Sequence, residues 1–231
     1  MILVKPSFRI EYIPVDGLKF IEQAGRTCYK SEDKITEDSA GKFVNMVIRK
    51  GHDSVIEHAN MTVRFICDRG VTHELVRHRL CAFSQESTRY CNYSGGVKFV
   101  IPPWVDIEPG NYYSSLNLSN SFRTPSVYGD WFWMMFCAER SYQNLVKGGW
   151  TPQQARSVLP NSLKTEIVVT ANFREWRHIL RVRTSEAAHP QMREIMIPLL
   201  QRVKMIVPVI FDDIGKPVIF DDIGKVVENE S

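Results

Sequence analysis

Ala59-Asn60-Met61-Thr62-Val63-Arg64-Phe65-Ile66-Cys67 sets Met61, Val63, Phe65 and Cys67 against Asn60, Thr62 and Arg64 in alternation. Successive strand residues face opposite sides, so this is the period of a half-buried strand with one apolar face on a core. Gly70 is read as the break after it, before a short helix through Arg79. Upstream, Gly17 to Tyr29 carries Leu18, Ile21 and Ala24 at helical spacing, and a second helix is predicted from Thr36, its cap, to Gly51, its stop. Downstream, Asn92 to Gly110 reads as loop, broken by Gly95-Gly96 and Pro102-Pro103, and Val127 to Lys147 as a long aromatic-rich helix. Thr151-Pro152 forms a cap and first turn ahead of Gln153 to Leu159. Glu166 to Thr170 is a predicted strand, and Arg174 to Arg183 and Pro190 to Ile206 are predicted helices. Strands and helices do not alternate regularly, which points to an α+β fold.

The chain has 231 residues, 44% of them hydrophobic, enough for one large domain. Its 29 basic and 26 acidic residues leave a net charge of only +3, so basic character is local, as in 174–183. A bulk nucleic-acid binder is usually more lopsided. The five cysteines, Cys28, Cys67, Cys81, Cys91 and Cys137, contain no Cys-x-x-Cys pair, which argues against a disulfide scaffold or zinc ribbon and fits a reducing, cytoplasmic setting. Lys5, Pro6 and Arg9 interrupt the first residues and the densest apolar run, Trp131 to Ala138, is too short to span a bilayer, so the expectation is a protein without a targeting or membrane segment. Pro208-Val-Ile-Phe-Asp-Asp-Ile-Gly-Lys216 recurs unchanged as Pro217 to Lys225. Two short copies do not make a repeat architecture, and the reading is a domain over residues 1–207 and a tail over 208–231 with no assigned function.

Chemistry concentrates in two stretches. Arg77-His78-Arg79-Leu80-Cys81-Ala82-Phe83-Ser84-Gln85-Glu86-Ser87-Thr88-Arg89-Tyr90 packs three arginines, a histidine and hydroxyls together. Guanidinium forks beside serine hydroxyls make a receptor for an anionic ligand, although Arg77 and Arg79 could equally serve carboxylates of the fold. If Thr72 to Arg79 is helical, His73 and Arg77 share a face, as do Glu74 and His78, while Phe83 to Ser87 leaves in a loop. A metal site from His52, His58, His73 and His78 lacks a recognised ligand spacing, so no metal is expected.

The second stretch runs Asn172-Phe173-Arg174-Glu175-Trp176-Arg177-His178-Ile179-Leu180-Arg181-Val182-Arg183. Arg183 lies seven residues beyond Trp176 and four beyond Ile179, so it continues the apolar stripe and requires an anionic partner. Arg177 and Arg181 are a like-charge i,i+4 pair, which costs stability unless an anion lies between them; a solvated face remains a reasonable reading for these two. Arg156, before Leu159-Pro160, says little alone.

Arg77-His78-Arg79, seven residues, then Ser87, continued by Arg89-Tyr90, resembles the signature of the flavin-dependent thymidylate synthases. The resemblance extends to Gly51-His52 with Ser54, Glu57-His58, Ala155-Arg156 with Leu159-Pro160, Asn172, and Ala188-His189. It implies an α/β fold, a mixed sheet flanked by helices, in a homotetramer whose active sites are shared between chains. FAD contacts are implied for Ser54, Arg77, His78, Arg79, Gln85, Asn172, Phe173, Arg174 and His178. The dUMP site is implied for Glu74, Leu75, Val76, Arg77, Gln85, Glu86, Ser87, Thr88, Arg89, Arg156 and Arg183. The family reaction makes dTMP from dUMP, with methylenetetrahydrofolate as carbon donor and FAD, reduced by NADPH, as hydride source. On this basis Arg183 is the expected catalytic residue, its charge stabilising the uracil N3 and O4 edge, while Arg77, Arg89 and Ser87 suit the phosphate. Relatives often carry Asn-Glu where this chain has Ser84-Gln85, so whether Gln85 or Glu86 faces the ligand stays open. Two alternatives remain: a non-enzymatic nucleotide or nucleic-acid binding module, and a hydrolase using Ser87 or Cys81 with His78.

Overall fold

The structure, a computed structural model, describes residues 1–112 and 127–215 together with two short strands, Ile219–Phe220 and Val226–Val227. Strand β3 (Asn60–Asp68) is the alternating stretch, with Met61, Val63, Phe65 and Cys67 buried. It pairs antiparallel along its whole length with β7 (Lys164–Asn172), from Asn60 opposite Asn172 to Asp68 opposite Lys164. Strands β2 (Ser7–Tyr12) and β4 (Ala82–Gln85) flank them, in the order β2-β3-β7-β4. A smaller mixed sheet has the order β5-β1-β6, from β1 (Ile2–Val4), β5 (Lys98–Val100) and β6 (Gly110–Asn111). The expected mixed α/β architecture is therefore present, divided between two sheets.

The helices are α1 (Gly17–Thr27), α2 (Ser39–Arg49), α3 (Arg69–Leu75), α4 (Val127–Lys147), α5 (Pro152–Ala155), α6 (Phe173–Arg183), α7 (Pro190–Ile206) and α8 (Pro208–Phe211). Helix α2 stops where predicted. Gly51 takes φ +68°, and the bonds Gly51 N to Ile48 O and His52 N to Val47 O, each 3.0 Å, close the C-terminal turn that only a left-handed residue allows. Thr151 caps α5 with Gln154 returning to it, as the sequence suggested.

Four readings are corrected. Gly70 does not break the chain but lies in the first turn of α3, which Asp68 caps by accepting from Val71 N at 2.7 Å. Helix α3 ends at Leu75, so Arg77, His78 and Arg79 occupy a turn, and the faces predicted for Thr72 to Arg79 do not exist there. Phe83 to Gln85 forms strand rather than loop, because β7 offers it an edge: Ala82 pairs Thr170 and Gln85 pairs Ile167. Within Asn92 to Gly110, β5 likewise finds its parallel partner in β1.

The inner face of the larger sheet packs on α2, α6, α7 and α8 in one core. Trp176 is fully buried and donates its indole N–H to Met61 O at 2.8 Å, which ties α6 to β3 without stranding a polar atom. A second core joins Leu3, Phe99, Phe132 and Tyr142 under the smaller sheet.

The first nonapeptide copy belongs to the first core. Ile210, Phe211 and Ile214 are buried, and Asp213 lies between Arg177 and Arg181. Arg177 forks onto Asp213 with two bonds of 2.6 Å and also reaches Ile210 O. The solvated reading of Arg177 is thus wrong: it is 3% exposed, and Asp213 is the anion that the paired arginines required. The second copy, apart from the strand Ile219–Phe220, lies outside the described residues.

Candidate functional site

Arg183, at the last position of α6, faces the end of α3. Its Nη1 donates to Glu74 Oε2 at 2.7 Å, its Nη2 to Glu74 O at 3.0 Å and its Nε to His78 Nε2 at 3.0 Å. The anionic partner demanded by the helix stripe is therefore Glu74, 109 residues away in sequence. Guanidinium has five N–H groups, so these three bonds leave two for a ligand.

His78 is 7% exposed. Burial, with the charges of Arg183 and His178 beside it, pushes its imidazole down to about 4, so it is neutral at physiological pH. Its Nδ1 lies 3.5 Å from Glu175 Oε1, and its ring meets the His178 ring edge-on at 5.5 Å. Burial pushes the Glu175 carboxyl up, against the opposing pull of His178 and Arg174. His78, Glu175 and His178 bring ligating atoms within 4.8 Å of one another. The Arg183 N–H on Nε2 nevertheless leaves the proton on Nδ1 and takes one of the ring's two ligating nitrogens, so this trio reads as a polar cluster turned toward Arg183 rather than a metal centre.

Around this cluster stand other residues expected at a flavin. Asn172 caps α6, its side-chain oxygen accepting from Glu175 N at 2.9 Å. Arg174 is exposed and bonded to Glu57 at 2.5 Å, which joins α6 to the 3-10 turn Asp53–His58 that carries exposed Ser54. Arg77 and Arg79 are exposed and have no ion pair among the described residues. Phe173 is fully buried against Phe211, and its N–H serves Ala59 O. Leu75 is buried too, while Val76 is exposed.

A second group gathers at the far end of β4. Arg156 Nη1 donates to Thr88 Oγ1 at 3.1 Å, and Arg89 is exposed, stacked over Tyr90, with its backbone N–H on Ser87 Oγ. Glu86 accepts from Tyr93 OH at 2.7 Å and Lys164 Nζ at 3.0 Å. Gln85 Nε2 donates to Thr72 Oγ1 at 2.9 Å. No bond among the described residues links Arg183 to Arg77, Arg89, Arg156 or Ser87.

The hydrolase alternative finds no support. Burial and the Glu175 charge push the Cys81 thiol up to about 12, and the accepting nitrogen of His78 is already taken by Arg183. Two residues carry more than the sequence reading gave them: Glu175, inward-facing three positions before His178, and Asp213. The requirement for an anion near Arg177 and Arg181 was the available signal for Asp213.

A family profile described as thymidylate synthase complementing protein matches residues 10–209. The flavin-dependent thymidylate synthase of Corynebacterium diphtheriae is 32% identical over 214 residues, covering 90% of this chain and 82% of that protein. That of Corynebacterium efficiens is 35% identical over 201 residues, covering 84% and 78%. Among solved structures, the UMP/dUMP methylase PolB from Streptomyces cacaoi bound with 5-Br dUMP superposes with TM-score 0.73 at 24% identity, covering 92% of this chain and 96% of that one. Thymidylate synthase X from Helicobacter pylori with FAD and dUMP gives 0.72 at 21% identity, covering 92% and 100%. No helix among the described residues is long and apolar enough to cross a membrane.

Proposed function

The chain belongs to the flavin-dependent thymidylate synthase family, and from that membership we propose that it holds FAD and dUMP in one site and methylates dUMP reductively to dTMP. Methylenetetrahydrofolate supplies the carbon and NADPH the reducing equivalents, in a cytoplasmic homotetramer whose subunits share their sites. The observation that carries the reading is the Arg183 seat: a partly buried guanidinium fixed on Glu74 and His78, with two N–H groups to spare.

The residues present fit a flavin dinucleotide. Arg77 and Arg79, which have no ion pair among the described residues, flank buried His78 and suit phosphate oxygens. Arg174 and Asn172 stand at the N-terminal end of α6, where backbone N–H groups favour an anion. Ser54, Gln85, Phe173 and His178 complete the FAD set. Bound FAD supplies the hydride; the protein orients and shields.

Arg183 then directs its spare N–H groups at the uracil N3 and O4 edge. Its permanent charge stabilises the negative charge that develops as the ring is activated, without a proton transfer to the guanidinium. Glu74 balances the guanidinium charge, and the neutral His78 accepts a hydrogen bond without adding a second positive charge. Arg77, Arg89, Ser87, Thr88 and Arg156 hold the phosphate. The substrate set also includes Leu75, Val76, Gln85 and Glu86, with Glu86 already committed to Lys164 and Tyr93. The two groups at opposite ends of β4 serve one ligand when each site draws on more than one chain.

The test is the visible absorption spectrum of protein incubated with FAD and freed of unbound ligand. A retained flavin band that shifts on adding dUMP is expected. Colourless protein would overturn the reading.

A further inference from the structure

Glu175 lies outside the residues that the family resemblance assigns. It sits in the first turn of α6, 8% exposed, and its carboxylate has no lysine or arginine ion pair among the described residues. A buried carboxylate is costly unless a hydrogen-bond donor meets it. Two imidazoles stand near it, the exposed His178 and the buried His78. Because Nε2 of His78 receives Arg183 Nε–H, the neutral ring carries its proton on Nδ1, 3.5 Å from Glu175 Oε1.

The geometry points to Glu175 as a positioning residue: it selects the Nδ1–H tautomer of His78 and so preserves the Nε2 lone pair that anchors Arg183. With the proton on Nε2 instead, two N–H groups would oppose each other at 3.0 Å and the guanidinium would turn away. Glu74 holds the other side of Arg183 but cannot replace this contact, because it meets Nη1 and Nη2 rather than Nε. The charged and titratable groups around the contact are Arg174, His178 and Arg183 from α6, Glu74 from α3, and Cys81 ahead of β4. The inference rests on the role proposed for Arg183 in the dUMP site.

The experiment compares full-length Glu175→Ala and Glu175→Gln with the parent chain, using histidine-selective 15N NMR to read the His78 tautomer and steady-state kinetics to read turnover. The parent is expected to show Nδ1–H. Glu175→Gln keeps an acceptor oxygen, so it is expected to retain that tautomer and most of the turnover. Glu175→Ala is expected to shift His78 toward Nε2–H and to lower kcat by about 10- to 100-fold, the usual cost of a lost supporting contact. If the alanine variant does not fold, Glu175→Met makes the same test, since it keeps the volume and removes the acceptor. An unchanged tautomer in the variant without an acceptor overturns the inference. A shifted tautomer with undiminished turnover leaves Glu175 as the positioner of His78 and overturns the role given to Arg183 instead.

Discussion

Replacing Asp213 with Ala removes both bonds that hold the Arg177 guanidinium and the one bond to Arg181. Arg177 is 3% exposed and would keep only the Ile210 carbonyl. Leaving one member of a buried pair uncompensated typically costs about 3–5 kcal/mol. The Asp213 side chain is itself 49% exposed, so water can reach the vacated place and screening brings the loss below that range, to about 2–3 kcal/mol. For a chain of this length each kcal/mol moves Tm by about 2–4 °C, giving an expected drop of about 4–12 °C. Thermal unfolding at fixed protein concentration without FAD or dUMP measures it, since either ligand would stabilise the folded state by mass action. The effect has a pH signature. Burial alone would raise the Asp213 carboxyl, but hydrogen bonds from Arg177 and Arg181 outweigh it and hold the group below the ordinary aspartate value of 3.8. Its contribution is therefore complete above that value and is lost as pH falls through the lower folded value, so variant and parent converge only in strong acid. Asp222→Ala, the same change in the second copy, is expected to leave Tm unmoved. A full-length Asp213→Ala protein as stable as the parent, or a loss confined to the Asp213/Asp222 double variant, would refute the assignment of this ion pair to the first copy.

Arg183→Lys keeps a charge but cannot meet Glu74 and His78 while offering a flat pair of donors, so dUMP-dependent turnover should fall about 100-fold with flavin still bound; normal turnover would remove Arg183 from the mechanism. Asn172→Ala should cost about 1 kcal/mol through the lost α6 cap, read as a lower denaturation midpoint. Alkylation near pH 8 followed by mass spectrometry should find Cys28, which is exposed, modified well before Cys67 and Cys81, whose thiols burial pushes up, in Cys81 to about 12. Turnover should survive that first modification, and its loss would contradict a mechanism without cysteine.

What the sequence revealed follows how local each signal is. Helices Val127–Lys147 and Pro190–Ile206 are found at the predicted residues because periodicity and a first-turn proline act within a few positions. Strand β3 was legible from its own alternation. Strand β4 was not, since Ala82, Ser84 and Gln85 carry no strong strand preference and only pairing with β7, far along the chain, makes them one. The site divides the same way. An inward Arg183 followed from helix geometry, but its partner Glu74 is 109 residues distant and could be demanded without being identified. Arg177 and Arg181 likewise called for an anion, and Asp213 supplies it from 36 residues beyond Arg177.

The identity of the two nonapeptides has a genetic consequence. Deleting residues 208–216 and deleting residues 217–225 give the same polypeptide, in which one Pro-Val-Ile-Phe-Asp-Asp-Ile-Gly-Lys still follows Val207 directly. The aspartate seated between Arg177 and Arg181 therefore survives contraction of the pair at either copy. Selection for these core contacts alone can hold one nonapeptide in place but does not distinguish one copy from two.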